Sequence, residues 1–563
     1  MADWLRKRAE FTPDRVALVD DRTGLRLTYA EMDRRAAVAA LAFRDRLGLR
    51  PGDRLAVLAK NRPEFFIALF ACIRLRAILV PINVRLAAPE VAYILGDSEP
   101  VAVLHDQAFE ATLREAVDAA WSAGGTTMTS GRRPILVSLD AGRGWEELVT
   151  PGAGDAGGGR EGHGEGAGEG EAEGEGGESG GQLGGPDGKP TGLPPDTESP
   201  SWSPDPCLIL YTSGTTGRPK GAVLATSMLT WNAVNTAVSW DLSSADVAIN
   251  PAPLYHTGGI NVFSMPLFHL GGRVVLMEAF DAARVLELVE QERATVFFGV
   301  PTMLQMMVES PRFAATDLAS LRWVIAGGAT CPIPVVEAFR ARGVAFRQGY
   351  GLTEVGPNCF ATSDEGARTK PHSVGFPVMH SQMRVVDAEG RDVPFDGDGE
   401  LLIKGPHAFA GYWRNPEATA KTITPDGWVH TGDVVRRDAE GFYYIVDRIK
   451  DMYKSGGENV YPLEAERVIE RHPVVAEVAV IGVPDPKWDE VGRAYVVLRP
   501  GATLTLEELA DFCRPHLAKF KLPKQMVVLT ALPRNATGKV QKEALRAMAL
   551  AERTQTQTNQ DGR

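Results

Sequence analysis

The first 150 residues alternate between helix-like and strand-like patterns of apolar positions. Thr28-Tyr29-Ala30-Glu31 has the hydroxyl-to-carboxylate spacing of a helix cap and predicts a helix running toward Leu47. Arg54-Leu55-Ala56-Val57-Leu58 then reads as a strand, residues 64–74 as a buried helix, and residues 77–81 and 101–104 as short strands. Further on, Cys207-Leu208-Ile209-Leu210-Tyr211 is a buried strand bounded by breakers, and residues 225–235 read as a helix. Trp323-Val324-Ile325-Ala326 predicts a strand running into Gly327-Gly328-Ala329, and Phe346-Arg347-Gln348 one running into Gly349-Tyr350-Gly351-Leu352-Thr353-Glu354. Short strands and turns follow at residues 383–386, 399–404, 428–430 and 442–446, with Thr431-Gly432-Asp433 placed after a strand end. From Pro462 the pattern is a compact mixed unit: a helix to His472, strands at 475–482 and 494–498, and a helix at 506–516. Strands alternating with helices imply parallel α/β layers.

Residues 151–201 break this pattern. The stretch 151–200 holds 19 of the 59 glycines and almost no large apolar residue, which predicts a disordered insertion that can bury too little surface to offset chain entropy. It also holds 11 acidic and 2 basic side chains, so −9 of the net charge of −12 is local and the remainder carries only −3. A tolerated surface loop is favoured over an acidic docking tail.

A chain of 563 residues exceeds what one core usually supports, and its apolar fraction of 44% is that of a globular protein. Basic stripes for nucleic acid and zinc-like Cys/His spacings are missing from the sequence. Five scattered cysteines suit a reducing, cytoplasmic setting, where the sequon at Asn535 stays bare. The start lacks a signal-peptide core, and the longest apolar run, residues 65–73, is too short for a bilayer, so no integral membrane contact is expected.

The stretch TSGTTGRPKG, Thr212 to Gly221, suits a polyphosphate: Gly214 and Gly217 let N–H groups turn toward an anion, hydroxyls surround them, and Lys220 adds a cation. Pro219 before that lysine excludes the Walker pattern. Composition alone leaves an inert surface turn equally open. His256 in Tyr255-His256-Thr257-Gly258-Gly259, the glycines after the two later strands, Asp433 and Lys539 are each also compatible with ordinary turn or solvated positions.

Their order is more specific. YTSGTTGRPKG, YHTGG, GYGLTE, HTGD, DRIKD with SGGEN, and PRNATGK follow one another as in the adenylate-forming superfamily of acyl-CoA synthetases, luciferases and peptide-synthetase adenylation domains. The resemblance spans the chain except the insertion and the tail, and is greatest to acyl-CoA or aryl-CoA synthetases. It implies an α/β fold: a large N-terminal domain (1–447) of two α/β layered subdomains plus a small β-barrel-like one, a small mobile α+β C-terminal domain (448–548), and a polar tail (549–563).

The resemblance also implies ATP-dependent conversion of a fatty or aryl acid to acyl-AMP and pyrophosphate, then transfer to CoA. Thr212, Ser213, Gly214, Thr215, Thr216, Gly217 and Lys220 would clamp the β- and γ-phosphates, Thr353 would contact the α-phosphate, and Glu354 would hold Mg²⁺. Gly327, Gly328, Gln348, Gly349, Tyr350 and Gly351 would flank the adenine, while Asp433 and Arg448 would take the ribose hydroxyls. Lys539 is the expected adenylation residue, and His256 would lie by the substrate carboxylate. Rotation about Lys450 would then bring Ser455, Gly456 and Gly457 to the CoA tunnel. The expected partners are the acid, ATP and CoA, with no nucleic acid and with a homodimer left open. Transfer to a carrier protein, and a nucleotide-binding homologue without ligase activity, are the alternatives. His256 stands where amino-acid-activating relatives carry an aspartate, which disfavours amino acids.

Overall fold

The computed structural model describes residues 4–122, 132–140, 144–150, 203–212, 218–455, 458–534 and 539–561. The acidic insertion, Ser213 to Gly217, Gly456 and Gly457 lie outside the described residues.

Two seven-stranded sheets carry most of the chain. In one, Ala345–Gln348, Trp323–Ala326, Val296–Gly299, Val247–Asn250, Arg273–Leu276 and Val16–Asp20 lie parallel in that order, and Arg26–Thr28 closes the edge antiparallel. In the other, Pro206–Thr212, Ile78–Pro81, Arg54–Leu58, Ala102–His105 and Ile135–Ser138 are parallel neighbours. Lys220–Ala225 then pairs antiparallel with Pro206–Thr212, and Gly411–Tyr412 with Lys220–Ala225.

One core joins both sheets, with residues such as Leu55, Leu79 and Leu208 from one and Leu18, Val274 and Ile325 from the other. Helix Pro63–Leu75 lies within it, buried at every position but Glu64 because neighbours cover it all round. Phe66 meets the edge of Phe268 at 5.1 Å, and Arg74, 2% exposed, is not left as a lone charge because Asp33 Oδ1 stands 2.6 Å away. Helix Tyr29–Asp45 begins with the expected capping box between Thr28 and Glu31.

Two expectations change. Lys220 and Gly221 do not belong to a loop but open the strand Lys220–Ala225, antiparallel to Pro206–Thr212, with Thr212 paired to Lys220. Asp433 does not follow a strand end but lies inside Val429–Arg437, in the antiparallel sheet with Gln382–Val386, Asp398–Lys404 and Tyr443–Arg448. The pairing with Asp398–Lys404 shifts register between Glu400 and Leu402, and Gly432 at φ +70° lets the strand bulge instead of stopping.

The C-terminal sheet is built on a long hairpin, Val475–Asp485 and Asp489–Leu498, joined by Tyr453–Ser455, Glu458–Val460 and Gln525–Val528. It has cores of its own, around Tyr453 and Leu509 on one face and Tyr495 and Leu545 on the other. The terminal helix runs Lys542–Asp561, into the stretch expected as a polar tail. Among the described residues no helix is long and apolar enough to cross a membrane.

Candidate active site

The carboxyl ends of two neighbouring parallel strands supply the floor of the site. Trp323–Ala326 delivers Gly327 and Gly328, the latter at φ +83°, and Ala345–Gln348 delivers Gly349 to Gly351. Gly351 has no room for a side chain, since a Cβ there would stand 2.3 Å from the Pro357 carbonyl carbon. Gln348 braces the neighbouring loop: its Oε1 accepts from the Cys331 N–H at 3.3 Å and its Nε2 donates to the Cys331 carbonyl at 3.4 Å.

Tyr350 and Asp433 form the next layer. The Tyr350 hydroxyl donates to Asp433 Oδ2 at 2.6 Å, and Arg448, the cross-strand partner of Asp433, stands 3.1 Å from Oδ1. Asp433 is 4% exposed, so its charge is answered from both sides. Burial and that same carboxylate push the Tyr350 hydroxyl well above its ordinary pKa, which keeps it a donor.

Thr353 and Glu354 occupy one 3-10 turn directly after these glycines. Tyr412 donates its hydroxyl to Glu354 Oε1 at 2.8 Å, while the Lys220 ammonium lies 5.2 Å from the Tyr412 ring. Lys220 and the Glu354 turn therefore meet across one tyrosine. Its pKa is raised by burial and then by Glu354. Just before Lys220, the Pro219 carbonyl accepts from the Tyr93 hydroxyl at 3.2 Å.

Lys539 comes from the C-terminal unit to this group. Its side chain keeps solvent contact, but the ammonium sits in a crowded cleft, where lost hydration and the nearby Arg448 and Lys450 cations outweigh Asp433 and Asp451 and lower its pKa to about 8. Lys450 lies in the turn between Tyr443–Arg448 and Tyr453–Ser455, and its carbonyl accepts from Arg546 at 3.4 Å. Ser455 stands apart, buried in the C-terminal sheet and paired with Glu458 and Asp489.

His256 is the residue before the short helix Thr257–Asn261. Its Nε2 is buried without a hydrogen-bond partner among the described residues, and burial, then the Arg85 cation, lower its pKa to about 4, so the ring is neutral near pH 7. Gly259 is obligatory here, because a Cβ would lie 2.4 Å from the Pro253 carbonyl oxygen. Phe298 closes this side: a Cβ on Gly258 would meet its ring at 3.2 Å, and one on Gly327 at 2.8 Å.

Lys220 and Glu354 thus meet at Tyr412, Tyr350, Asp433, Arg448 and Lys539 form one charged cluster, and the segment 349–354, which also carries Thr353, connects the two. Sequence reasoning missed Tyr412, Tyr93 and Phe298. Each lies in an ordinary apolar or helical pattern, and only the packing of Gly411–Tyr412 beside Lys220–Ala225 reveals the first.

Comparison with known proteins agrees with this geometry. Residues 5–413 match the AMP-binding enzyme family, and residues 464–539 match the AMP-binding enzyme C-terminal domain. The chain is 38% identical over 546 residues to a feruloyl-CoA synthase of Amycolatopsis sp, covering 97% of this chain and 98% of that protein. It is 34% identical over 561 residues to the indoleacetate–CoA ligase of Aromatoleum aromaticum, covering 99% and 100%. Among solved structures, ATP-bound MatB from Rhodopseudomonas palustris superposes with a TM-score of 0.81 at 29% identity, covering 97% of this chain and 98% of that one. The chain belongs to the AMP-binding enzymes and, within the adenylate-forming superfamily, to the acyl-CoA synthetases, AMP-forming ligases that join a carboxylic acid to a thiol.

Proposed function

We propose that this ligase activates an aryl carboxylic acid in two steps within the cleft between its N- and C-terminal units. The observation that carries this reading is the convergence of Lys539 with Asp433 and Arg448, with the Phe298 ring packed against Gly258 and Gly327. In the first step the carboxylate attacks the α-phosphorus of ATP, forming acyl-AMP and releasing pyrophosphate. Both reactants are anions, so charge must be neutralised and the groups held in line. Lys539 supplies the ammonium and Thr353 a hydroxyl at the α-phosphate. Residues 212–217 and Lys220 hold the β- and γ-phosphates, and Asp433 and Arg448 receive the ribose.

Glu354 is the carboxylate that would hold Mg²⁺, oriented by the Tyr412 hydroxyl. A single protein carboxylate completed by phosphate oxygens fits that ion, and the described residues contain no group of three or more metal-ligating side chains for an all-protein cage. When bound, the ion neutralises phosphate charge. In the second step the C-terminal unit turns about Lys450, withdraws Lys539 and presents Ser455, Gly456 and Gly457 to CoA, whose thiolate displaces AMP.

The aryl preference rests on Phe298 and the glycines against it. Gly258, two residues after His256, and Gly327 both lie against its ring, which places an aromatic side chain between the His256 segment and the glycines after Trp323–Ala326. The feruloyl-CoA and indoleacetate–CoA relatives support the same class. Pyrophosphate exchange across aryl and aliphatic acids, followed by thioester detection, tests this. Turnover of cinnamate- or benzoate-type acids at least about tenfold above medium- and long-chain fatty acids is expected, and the reverse order overturns it.

A further inference from the structure

The described contacts between the C-terminal unit and the adenine-side wall include one side chain that no motif contains. Arg467 lies in helix Pro462–Ile469, beyond the Lys450 turn. Its Nη2 donates to the Ile445 carbonyl at 2.9 Å and to Thr330 Oγ1 at 3.4 Å. Ile445 belongs to strand Tyr443–Arg448, which ends at Arg448. Thr330 closely follows Gly327 and Gly328. A single guanidinium therefore grips the strand that carries the ribose-side arginine and the loop that borders the adenine side.

We propose that Arg467 is a positioning residue, the latch that holds the C-terminal unit in the orientation bringing Lys539 to Asp433. Both acceptors precede the Lys450 turn and Arg467 follows it, so rotation about Lys450 must break both bonds. The same helix is held at its first turn, where the Leu463 N–H donates to Asp447 Oδ2 at 2.7 Å. That bond also crosses the turn, so the helix is released as a unit.

The latch is built to open. Arg467 is largely withdrawn from water, and its Nε is buried with no partner among the described residues. An incompletely satisfied buried guanidinium gives back in desolvation much of what its hydrogen bonds gain. The held orientation is therefore preferred without being locked. Because Thr330 sits on the loop next to the adenine side, nucleotide that orders this loop tightens the grip. Loss of AMP after the second step loosens it.

This inference rests on the two-orientation reading above, and the experiment separates the two. Arg467→Gln, Arg467→Lys and Thr330→Val are assayed in each half-reaction: pyrophosphate exchange for adenylation, and thioester formation from supplied acyl-AMP and CoA. Arg467→Gln is expected to lower exchange about tenfold and leave thioester formation within about twofold, the loss of a charge-assisted bond in one orientation only. Arg467→Lys, which can still donate to the Ile445 carbonyl, recovers part of that loss. Thr330→Val lowers exchange about two- to threefold, and less than additively in the Arg467→Gln background. Equal loss in both halves, or unchanged exchange in Arg467→Gln and Thr330→Val alike, overturns the latch. Lys539→Ala is the control: if it depresses both halves equally, the two-orientation reading itself fails, whereas a split there without one at Arg467 removes only the latch.

Discussion

Asp433 and Lys539 face the same cleft, yet the chain supports them in opposite ways. Asp433 sits in a strand, 4% exposed, with Tyr350 at 2.6 Å and Arg448 at 3.1 Å. Lys539 comes from the C-terminal unit and meets two cations, Arg448 and Lys450, as well as two carboxylates, Asp433 and Asp451. The Asp433 carboxylate is met by a hydroxyl and a guanidinium, whereas lost hydration and the cations beside Lys539 lower its pKa. The contrast fits the proposed division of labour, in which Asp433 belongs to a fixed wall and Lys539 acts on phosphate in one orientation of the C-terminal unit.

Several measurements break or sharpen this contrast. The largest effect is expected from Lys539→Ala, which lowers adenylation by about 10²–10³-fold, the usual loss for a preorganised charge donor, while thioester formation from supplied acyl-AMP stays near wild type. Half-reaction rates decide it, and parallel losses would show Lys539 to be part of the permanent wall.

The wall itself depends on the shared core. Phe66→Ala should destabilise the N-terminal unit by about 3–5 kcal/mol, because a buried ring against Phe268 leaves a cavity. Chemical denaturation followed separately in the two units checks this, since the C-terminal sheet has its own cores. A loss confined to the C-terminal unit would contradict the packing described.

The pH dependence of adenylation separates the two charges further. Lys539 titrates from about 8, below its ordinary 10.5, so the free enzyme carries the ammonium below that pH and loses it above. The kcat/KM of the exchange reaction should fall toward a tenfold loss per unit above about pH 8, and Lys539→Arg should abolish that limb. The sign for stability is opposite: a depressed lysine disfavours the folded state below its folded pKa, and that cost fades between about 8 and 10.5.

The smallest effect belongs to Tyr412→Phe. It leaves Glu354 in place without its 2.8 Å donor and should raise the Mg²⁺ concentration needed for half-maximal exchange several-fold, with little change in saturating rate. An unchanged Mg²⁺ requirement would remove Tyr412 from the phosphate side of the cleft.

Much of the architecture was legible in advance because it rests on local chemistry. The capping spacing at Thr28 and Glu31, the apolar run of residues 65–73 and the strand-then-glycine pattern at 323–329 all depend on near neighbours. The end of the strand before Asp433 was not legible. Thr431-Gly432-Asp433 reads as a turn, and only pairing with Asp398–Lys404 on one side and Tyr443–Arg448 on the other carries the strand through it. Lys220–Ala225 escaped for a related reason, since its β character comes from pairing on both sides.

By itself, the order of short motifs along the chain determined the family, the chemistry and the candidate residues Thr212, Glu354, Asp433 and Lys539, because motif order survives without knowledge of contacts. The tertiary structure alone decided which neighbours each charge meets. Tyr350 at Asp433, Tyr412 between Lys220 and Glu354, and Arg467 across the Lys450 turn are pairings between distant segments. Such pairings depend on how packed elements bring their ends together, and the energy of a buried charge depends on those neighbours more than on its own identity.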